Sequence, residues 1–397
     1  MSSENISAQD AEILQTSSAA ENKENGLSRG IVNRRSFMRN GAIAGAAAVG
    51  AGLMAKSFAQ ETNASAINKG DVDILRFLAA AEILETDLWT QYTELGGTQD
   101  NEESGVNGGS PLYTSALQIL DGDMAQYIHD NTDDELSHQS FINAFLESIG
   151  AEPVDLSAFA NLPSSKATGA RDVGRLTNLM NLTIDTSFWT RYRSATNNPD
   201  LDPNFKFGPA EVIVNRTAIP RNDDDLNGAA NIAPFNIPDH LKAIAFTAGF
   251  HFCAIEQGGS SLYPSLAQRV TNVDVLRILL SIGPTETSHF QTWHDKAGNV
   301  LTVEDKDPVT GARVSFRQLS TNQPESLQAN LIMPEPCPFL NRKFPAVSII
   351  RPTNTKNAAT GAIDGLIKEG LFIGQSQGFF TAVKALATAA DAAERGF

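Results

Sequence analysis

Cysteine is scarce in this chain of 397 residues, which contains only Cys253 and Cys337. Two thiols so far apart in sequence are too few for a disulfide framework or a thiolate zinc site. Cys253 lies in an apolar helical stretch, where we expect it to pack as a small hydrophobic residue. One disulfide between the two cysteines is an open alternative in an oxidising compartment. The chemistry of the chain must therefore come from other residue types.

Positive charge is also in short supply. The sequence has 30 Lys and Arg against 46 Asp and Glu, which gives a formal net charge of −16. Such a surface repels nucleic acid and anionic lipid, so neither is an expected partner. The composition is otherwise that of a folded protein, because 41% of the residues are hydrophobic and 19% are charged.

The N-terminal region has no long apolar segment. Its Gly- and Ala-rich stretch, residues 41–54, has 14 residues and is too short and too weakly apolar for a stable membrane span. The stretch follows Arg34 and Arg35 in the segment NRRSFMR, and a small-residue site ends at Ala59. This order resembles a twin-arginine export signal that is cleaved after Ala59. The resemblance implies passage through the twin-arginine translocase and a periplasmic or other extracytoplasmic location.

Hydrophobic periodicity divides the rest of the chain. Residues 1–59 are predicted to be a disordered leader and signal peptide, 60–296 a helical domain, and 297–397 a C-terminal extension. The extension is predicted to end in a helix over 378–395. Between the core helices, the sequence predicts a further helix over 170–193 and a loop over 194–238. Four stretches carry the strongest helical period, and these are 71–95, 124–149, 241–257 and 273–294.

Each of these four helices carries a glutamate on the face that should be apolar. The four are Glu85, Glu135, Glu256 and Glu286, with Glu82 as an alternative to Glu85 on the same stripe. An isolated buried charge costs several kcal/mol or more, so these acids need partners.

A histidine follows two of the glutamates by three residues, which places His138 beside Glu135 and His289 beside Glu286 on their helices. The chain has only six histidines, so two Glu-x-x-His pairs exceed the number expected by chance. Carboxylate oxygen and imidazole nitrogen suit iron or manganese, and a carboxylate can bridge two ions. Four negative charges also balance two divalent cations. The pattern therefore predicts a centre that holds two metal ions.

The two halves of the pattern repeat each other. Tyr92 follows Glu85 by seven residues, and Tyr263 follows Glu256 by seven residues. The order Glu, Tyr, Glu-x-x-His thus occurs twice and favours Glu85 over Glu82 as the acid of the first helix. Each tyrosine is expected either to donate a hydrogen bond to a ligand carboxylate of the opposite half or to pack in the core.

The doubled order, together with the segments ILRFLAAAEILETDLW and DDELSHQSFINAFL, resembles the ferritin-like superfamily and its desiccation-related proteins. The resemblance covers about residues 71–294. It implies an all-α fold, an antiparallel four-helix bundle with a long crossover insertion, followed here by the C-terminal extension. It further implies Glu85 and Glu256 as terminal ligands, Glu135 and Glu286 as bridging and catalytic ligands, and His138 and His289 as the residue capping each ion.

Two classes of function follow from the resemblance. The first is a di-metal oxidoreductase that handles oxygen or peroxide in stress defence, with ferroxidase, peroxidase or catalase-like activity. The alternative is a stress- or desiccation-protective structural protein that keeps the bundle without turnover. Iron storage in a cage is disfavoured, since the long crossover and the extension would obstruct cage packing. Gly258, Gly259 and Pro264 are expected to weaken the third core helix, and Gly283-Pro284 to kink the fourth.

Overall fold

A computed structural model describes most of the chain after the predicted leader. The described residues are 66–100, 106, 108–186, 212–226, 236–318, 334–335, 343, 347–348 and 356–393. The leader, the predicted twin-arginine signal and Cys337 lie outside these residues, so their predictions stay untested.

This part of the chain is mostly helical, and its α-helices are α1 (Lys69–Gly96), α2 (Pro111–Leu117), α3 (Met124–Ser148), α4 (Asp239–Ala267), α5 (Val273–Ala297), α6 (Ala358–Lys368) and α7 (Gln377–Ala392). Six short strands form three antiparallel pairs, β1 (Leu182–Asp185) with β2 (Val212–Arg216), β3 (Val303–Lys306) with β4 (Arg313–Phe316), and β5 (Pro334–Glu335) with β6 (Val347–Ser348). In the first pair Leu182 lies opposite Arg216, and in the second Val303 lies opposite Phe316.

The four core helices and the terminal helix are confirmed, and side-chain caps define several of their starts. Asn68 accepts a hydrogen bond from the backbone of Asp71, whose carboxylate accepts one from the Asn68 backbone in return. Asn272 caps α5 in the same position, and Ser376 caps α7. Such caps satisfy backbone N–H groups that have no partner inside the helix.

The long helices associate as two antiparallel pairs. Helix α1 packs along α3, and α4 packs along α5. In the second pair Gly259 lies against Glu286 while Tyr263 lies against Gly283, so the two chains run in opposite directions. The inner faces hold a stack of aromatic rings, with Trp89 5.3 Å from Trp293 and 4.9 Å from Phe252 between ring centroids. These rings are fully buried and join helices from both pairs.

Helices α4 and α5 continue through the glycines and prolines that were expected to weaken or kink them, and the kink at Gly283-Pro284 stays a prediction. Helix α4 continues ten residues beyond the predicted end at Gln257, with Pro264 inside it, and Gly283-Pro284 lies within α5. A proline costs about 3 kcal/mol and a glycine about 1 kcal/mol inside a helix. Burial of Tyr263 and Leu266 against neighbouring elements offsets this cost.

The predicted helix over 170–193 is wrong in its described part. Residues 182–185 form β1, and the preceding residues are turns and bends. The predicted loop over 194–238 likewise contains β2. Both strands carry β-branched residues and pair with each other across the crossover, so a long-range contact decides their structure. The short helix α2 was not predicted, because it lies in a stretch rich in turn residues.

The C-terminal extension packs on the outside of the core. Helix α7 lies against α1, whose opposite face points inward. Asp391 accepts hydrogen bonds from the backbone of Ala359 and Thr360 and so caps the start of α6. Arg269, just after α4, donates to the carbonyl of Ala393 at 3.1 Å. The extension thereby contacts the segment after the C-terminal end of α4 and the start of α1, where Ala393 lies beside Gly70.

A network of ion pairs joins the segment between α3 and α4, together with the start of α4, to the β3–β4 hairpin. Its members are Arg216, Arg221, Asp225, His240, Asp305 and Asp307. His240 lies at the centre, with Nδ1 2.9 Å from Asp305 and Nε2 3.2 Å from Asp225. Burial alone would lower the pKa of His240, but the two carboxylates outweigh this effect and raise the pKa to about 9.

None of the helices in the described ranges is both long and apolar enough to cross a membrane.

The His240 pairing predicts a pH-dependent stability. The folded pKa of about 9 lies above the ordinary value of 6.5, so the stabilisation is complete below pH 6.5 and is lost as the pH rises through 9. We expect the free energy of unfolding of the wild type to exceed that of His240→Asn at pH 6. The difference should shrink by roughly 3 kcal/mol by pH 10. Denaturant titrations of both proteins across this range measure it, and a constant difference would contradict the pairing.

Candidate metal centre

Four helices bring their buried acids to one place between the two helix pairs. Each acid has 0% of its surface exposed, and the four are Glu82 on α1, Glu135 on α3, Glu256 on α4 and Glu286 on α5. His138 on α3 and His289 on α5 complete the cluster. Burial of this many ionisable groups within one core demands compensating charge.

The ligand atoms fall into two groups that overlap. Glu82 and His138 form one group with Glu135 and Glu286, and Glu256 and His289 form a second group with the same two acids. Within each group the ligand atoms lie within 4.8 Å of one another. We name the first group subsite 1 and the second subsite 2. Glu135 and Glu286 belong to both groups, which is the property that bridging ligands would need.

Both imidazole rings turn Nδ1 into the cluster. His138 Nδ1 lies 3.3 Å from Glu82, 3.1 Å from Glu135 and 3.2 Å from Glu286. His289 Nδ1 lies 3.2 Å from Glu135, 3.3 Å from Glu256 and 3.9 Å from Glu286. One nitrogen therefore faces three carboxylates at each subsite, which is more acceptors than one N–H can serve.

The charges do not balance among the protein groups. Four carboxylates and two imidazolium ions leave a net charge of −2 inside the cluster. Burial raises the pKa of Glu286 well above its usual range, and repulsion from Glu135 adds to the rise. Burial also raises the pKa of Glu135, to about 7, although both histidines oppose it. For His138 and His289, burial lowers the pKa but the surrounding carboxylates outweigh it and raise it overall. The raised pKa values mean that the cluster favours bound protons, and bound cations could neutralise the same carboxylates instead.

Several ligand atoms make no hydrogen bond of acceptable geometry, although some of them lie within ion-pair distance of a charged partner. These buried atoms are Oε2 of Glu82, Oε2 of Glu256, both carboxylate oxygens of Glu286, and Nδ1 of His289. A buried acceptor without a partner costs about 1–3 kcal/mol, and more when it is charged. Oxygen and imidazole nitrogen atoms in this state are a suitable donor set for a transition-metal ion. The residues therefore fit a bound metal, and the buried Glu and His groups could hold one.

Aromatic donors hold the two terminal acids from the opposite helix pair. Trp89 Nε1 on α1 donates to Glu256 on α4 at 3.0 Å, and the Tyr263 hydroxyl on α4 donates to Glu82 on α1. Trp89 follows Glu82 by seven residues, just as Tyr263 follows Glu256. The seven-residue repeat is thus present, but its first member is the Glu82–Trp89 pair.

Glu85 differs from its predicted position. It is half-buried and belongs to neither ligand group, whereas Glu82 is fully buried in subsite 1. Both acids lie on the stripe that α1 turns inward, and the three-residue step between them rotates Glu85 away from the ligand atoms. Burial raises the pKa of Glu85 well above its usual range, and repulsion from Glu286 and Glu82 contributes. Glu85 therefore lies beside the cluster without belonging to either ligand group.

Tyr92 takes the second of its two predicted roles, because it packs in the core and does not contact a carboxylate of the cluster. Its hydroxyl lies 2.7 Å from Nδ1 of His251, and both side chains are fully buried. Burial lowers the pKa of His251 to about 3, so this ring is neutral and its Nδ1 can accept a hydrogen bond from the Tyr92 hydroxyl. Of the two predicted tyrosine donors, only Tyr263 contacts a ligand carboxylate.

Two polar residues that were not predicted support the ligands. Asn131, one turn before Glu135, donates through Nδ2 to Glu135 at 2.9 Å and to Glu256 at 3.0 Å. Its oxygen accepts from Trp293 Nε1 at 2.7 Å. Asp134 lies 3.2 Å from Nε2 of His289. The sequence does contain one indication of this role, because Asn131 is a polar amide on the stripe of α3 that should be apolar.

A close approach of α4 and α5 requires glycine. A Cβ atom on Gly259 would lie 2.8 Å from Oε2 of Glu286, and one on Gly283 would lie 2.8 Å from Cβ of Tyr263. Real side chains do not tolerate such distances. The glycines that weaken helix propensity therefore make room for one bridging acid and for the donor to Glu82.

Comparison of the chain with models of protein families, with curated proteins and with solved structures finds no match in any of the three. The ferritin-like resemblance stays a prediction from the motifs quoted above.

Isosteric amide substitutions distinguish Glu82 from Glu85. We expect Glu82→Gln to weaken binding of one metal ion at least tenfold, since it removes a charged ligand of subsite 1. Glu85→Gln should change affinity less than about twofold, since Glu85 belongs to neither ligand group and the substitution removes no ligand atom. Titration of the metal-depleted protein with Mn²⁺ measures both. The opposite ranking would restore Glu85 as the ligand.

Adjacent glycines provide a second test. Gly259→Ala should displace the Glu286 carboxylate and reduce metal content, because the new methyl group overlaps its oxygen. Gly258→Ala is the matched control, since a Cβ there meets nothing within 4 Å. The control should keep its metal and gain about 0.5–1 kcal/mol of stability from reduced chain entropy. Metal analysis and thermal unfolding measure the two variants. Equal metal content in both would refute the steric argument.

Proposed function

We propose that this chain is an exported, ferritin-like protein that binds two iron or manganese ions and reacts with oxygen or peroxide in stress defence. The observation that carries the proposal is the pair of ligand groups that share Glu135 and Glu286. One metal site would leave half of these buried carboxylates without a counter-charge. Two divalent cations balance the four acids in formal charge and leave the histidines neutral.

The donor set supports iron or manganese. Each subsite offers three carboxylates and one imidazole, a mixed oxygen and nitrogen set with no thiolate. Such sets suit Fe and Mn, and the metal present in the cell decides between them. When bound, the two ions supply paired one-electron changes, so that a two-electron reaction with oxygen or peroxide needs no further cofactor.

The protein contributes fixed positions and exclusion of water. All four carboxylates are fully buried, and the ring stack of Trp89, Phe252 and Trp293 lies beside them through the bond from Trp89 to Glu256. Trp89, Tyr263 and Asn131 hold individual carboxylate oxygens and so preserve the arrangement while charge changes nearby. In subsite 1 the Tyr263 hydroxyl also supplies a proton donor, and the Glu82 carboxylate supplies its acceptor.

Access to the cluster is narrow. The least buried ligands are the two histidines, and the more exposed of them, His289, has only 11% of its side chain exposed. A substrate must therefore be as small as oxygen or hydrogen peroxide, or must donate electrons from the surface. The same burial favours the alternative function, a protective protein that retains the metal cluster for stability without turnover. The export signal lies outside the described residues, and the extracytoplasmic location is part of the proposal.

Metal analysis of the mature protein tests the centre. We expect about two Fe or Mn ions per chain, and loss of both in Glu135→Gln because Glu135 belongs to both subsites. The metal-free variant should be no less stable than the metal-free wild type, since one buried negative charge is removed. Glu147→Ala is the control, because Glu147 lies exposed on the same helix. Retention of both ions in Glu135→Gln would refute the shared ligand.

Peroxide consumption and Fe(II) oxidation by the loaded protein separate the two functions. The oxidoreductase predicts rates above those of the free metal, which Glu135→Gln abolishes and Glu147→Ala preserves. Rates no higher than those of free metal would favour the protective protein.

A further inference from the structure

The two subsites share an overall plan but differ in the residues around the ligands. Glu82 and Glu256 correspond, as do the Glu-x-x-His segments of α3 and α5. The residue before the bridging acid is Asp134 in α3 and Thr285 in α5. The residue four positions before the bridging acid is Asn131 in α3 and Ile282 in α5. The two helix pairs are therefore not equivalent at these two positions.

In subsite 2 the histidine contacts an additional carboxylate through its outer nitrogen, Nε2. Asp134 lies 3.2 Å from Nε2 of His289, while Nδ1 of the same ring faces the acids. Every carboxylate near His138 is on its Nδ1 side, and within the described ranges none lies in ion-pair distance of its Nε2. Thr285 bonds instead to the carbonyl of Ser281 on its own helix. Only one of the two imidazoles is therefore oriented by an acid.

The terminal acid of subsite 2 is also held more firmly. Oε1 of Glu256 accepts hydrogen bonds from Trp89 and Asn131, both at 3.0 Å, while its Oε2 makes no hydrogen bond and lies 3.3 Å from Nδ1 of His289. Oε1 of Glu82 accepts from Tyr263 alone. Two donors on one oxygen fix the carboxylate plane and leave the second oxygen for a cation. Subsite 2 thus needs less rearrangement to bind a cation than subsite 1.

We infer that the two subsites differ in affinity, and that Asp134 is a positioning residue which makes subsite 2 the tighter one. The inference rests on the proposed di-metal function. Its chemical basis is that a carboxylate bonded to the outer nitrogen of a ligand histidine fixes the tautomer, orients the ring and increases its basicity. Asp134 also adds a negative charge near the cation of subsite 2.

The test is an anaerobic titration of metal-depleted full-length protein with Mn²⁺, in which electron paramagnetic resonance measures the unbound ion. The wild type should bind two ions in distinct steps. In Asp134→Asn the tighter step should weaken about 10- to 100-fold while the weaker step changes less than about twofold. Asp130→Asn is the matched control, since it removes the same charge one turn earlier on α3, where Asp130 is exposed and bonded to Gln126. Both steps should stay within about twofold of the wild type in this control.

A second pair of variants assigns the steps. Asp134→Asn introduced into His289→Ala should have no further effect, because the ring that it orients is gone. Introduced into His138→Ala, it should weaken the remaining ion. Equal weakening of both steps in Asp134→Asn, or the same behaviour as Asp130→Asn, would overturn the inference and leave two bound ions and the proposed function intact. A wild type that binds fewer than two ions would instead refute the proposed function.

Discussion

Mutual repulsion among four buried carboxylates is the constraint on which the centre of this protein depends. Glu82, Glu135, Glu256 and Glu286 come from four separate helices and have no exposed surface. The ligand atoms of each subsite lie within 4.8 Å. Repulsion between like charges at such distances in a core costs several kcal/mol unless protons or cations neutralise it. The helices can hold this arrangement only because other contacts oppose their separation.

Those contacts join the two helix pairs to each other. Trp89 of α1 reaches Glu256 of α4, and Tyr263 of α4 reaches Glu82 of α1, so each pair supplies the donor for the acid of the other. The ring stack of Trp89, Phe252 and Trp293 adds apolar burial on the same side. Ligand positions and helix packing are thus produced by the same side chains. A substitution at one of these aromatic residues affects the fold and the acid cluster together.

Local patterns in the sequence revealed the part of this site that depends on helical spacing. The Glu135–His138 and Glu286–His289 pairs follow from a three-residue step, and the structure places both pairs in the cluster. Glu82 and Glu85 lie on the same stripe, so periodicity alone could not separate them. The seven-residue step to Tyr92 pointed to Glu85, whereas the pair that matches Glu256–Tyr263 in the structure is Glu82–Trp89. The β1–β2 pair escaped prediction for a different reason, since strands so far apart in sequence are stabilised only by meeting each other.

The polar residues around the ligands were the hardest to predict, because their roles depend on which helix lies opposite. Asn131 bonds to an acid on its own helix and to Glu256 on another, and Asp134 faces His289 across the gap between α3 and α5. Neither contact is visible in the spacing of one helix. A repeat with two matching Glu-x-x-His segments suggests a symmetric centre, but the residues between and before the ligands are not repeated. Equal ligand sets therefore do not imply equal sites, since the hydrogen bonds behind the ligands control how readily each set accepts a cation.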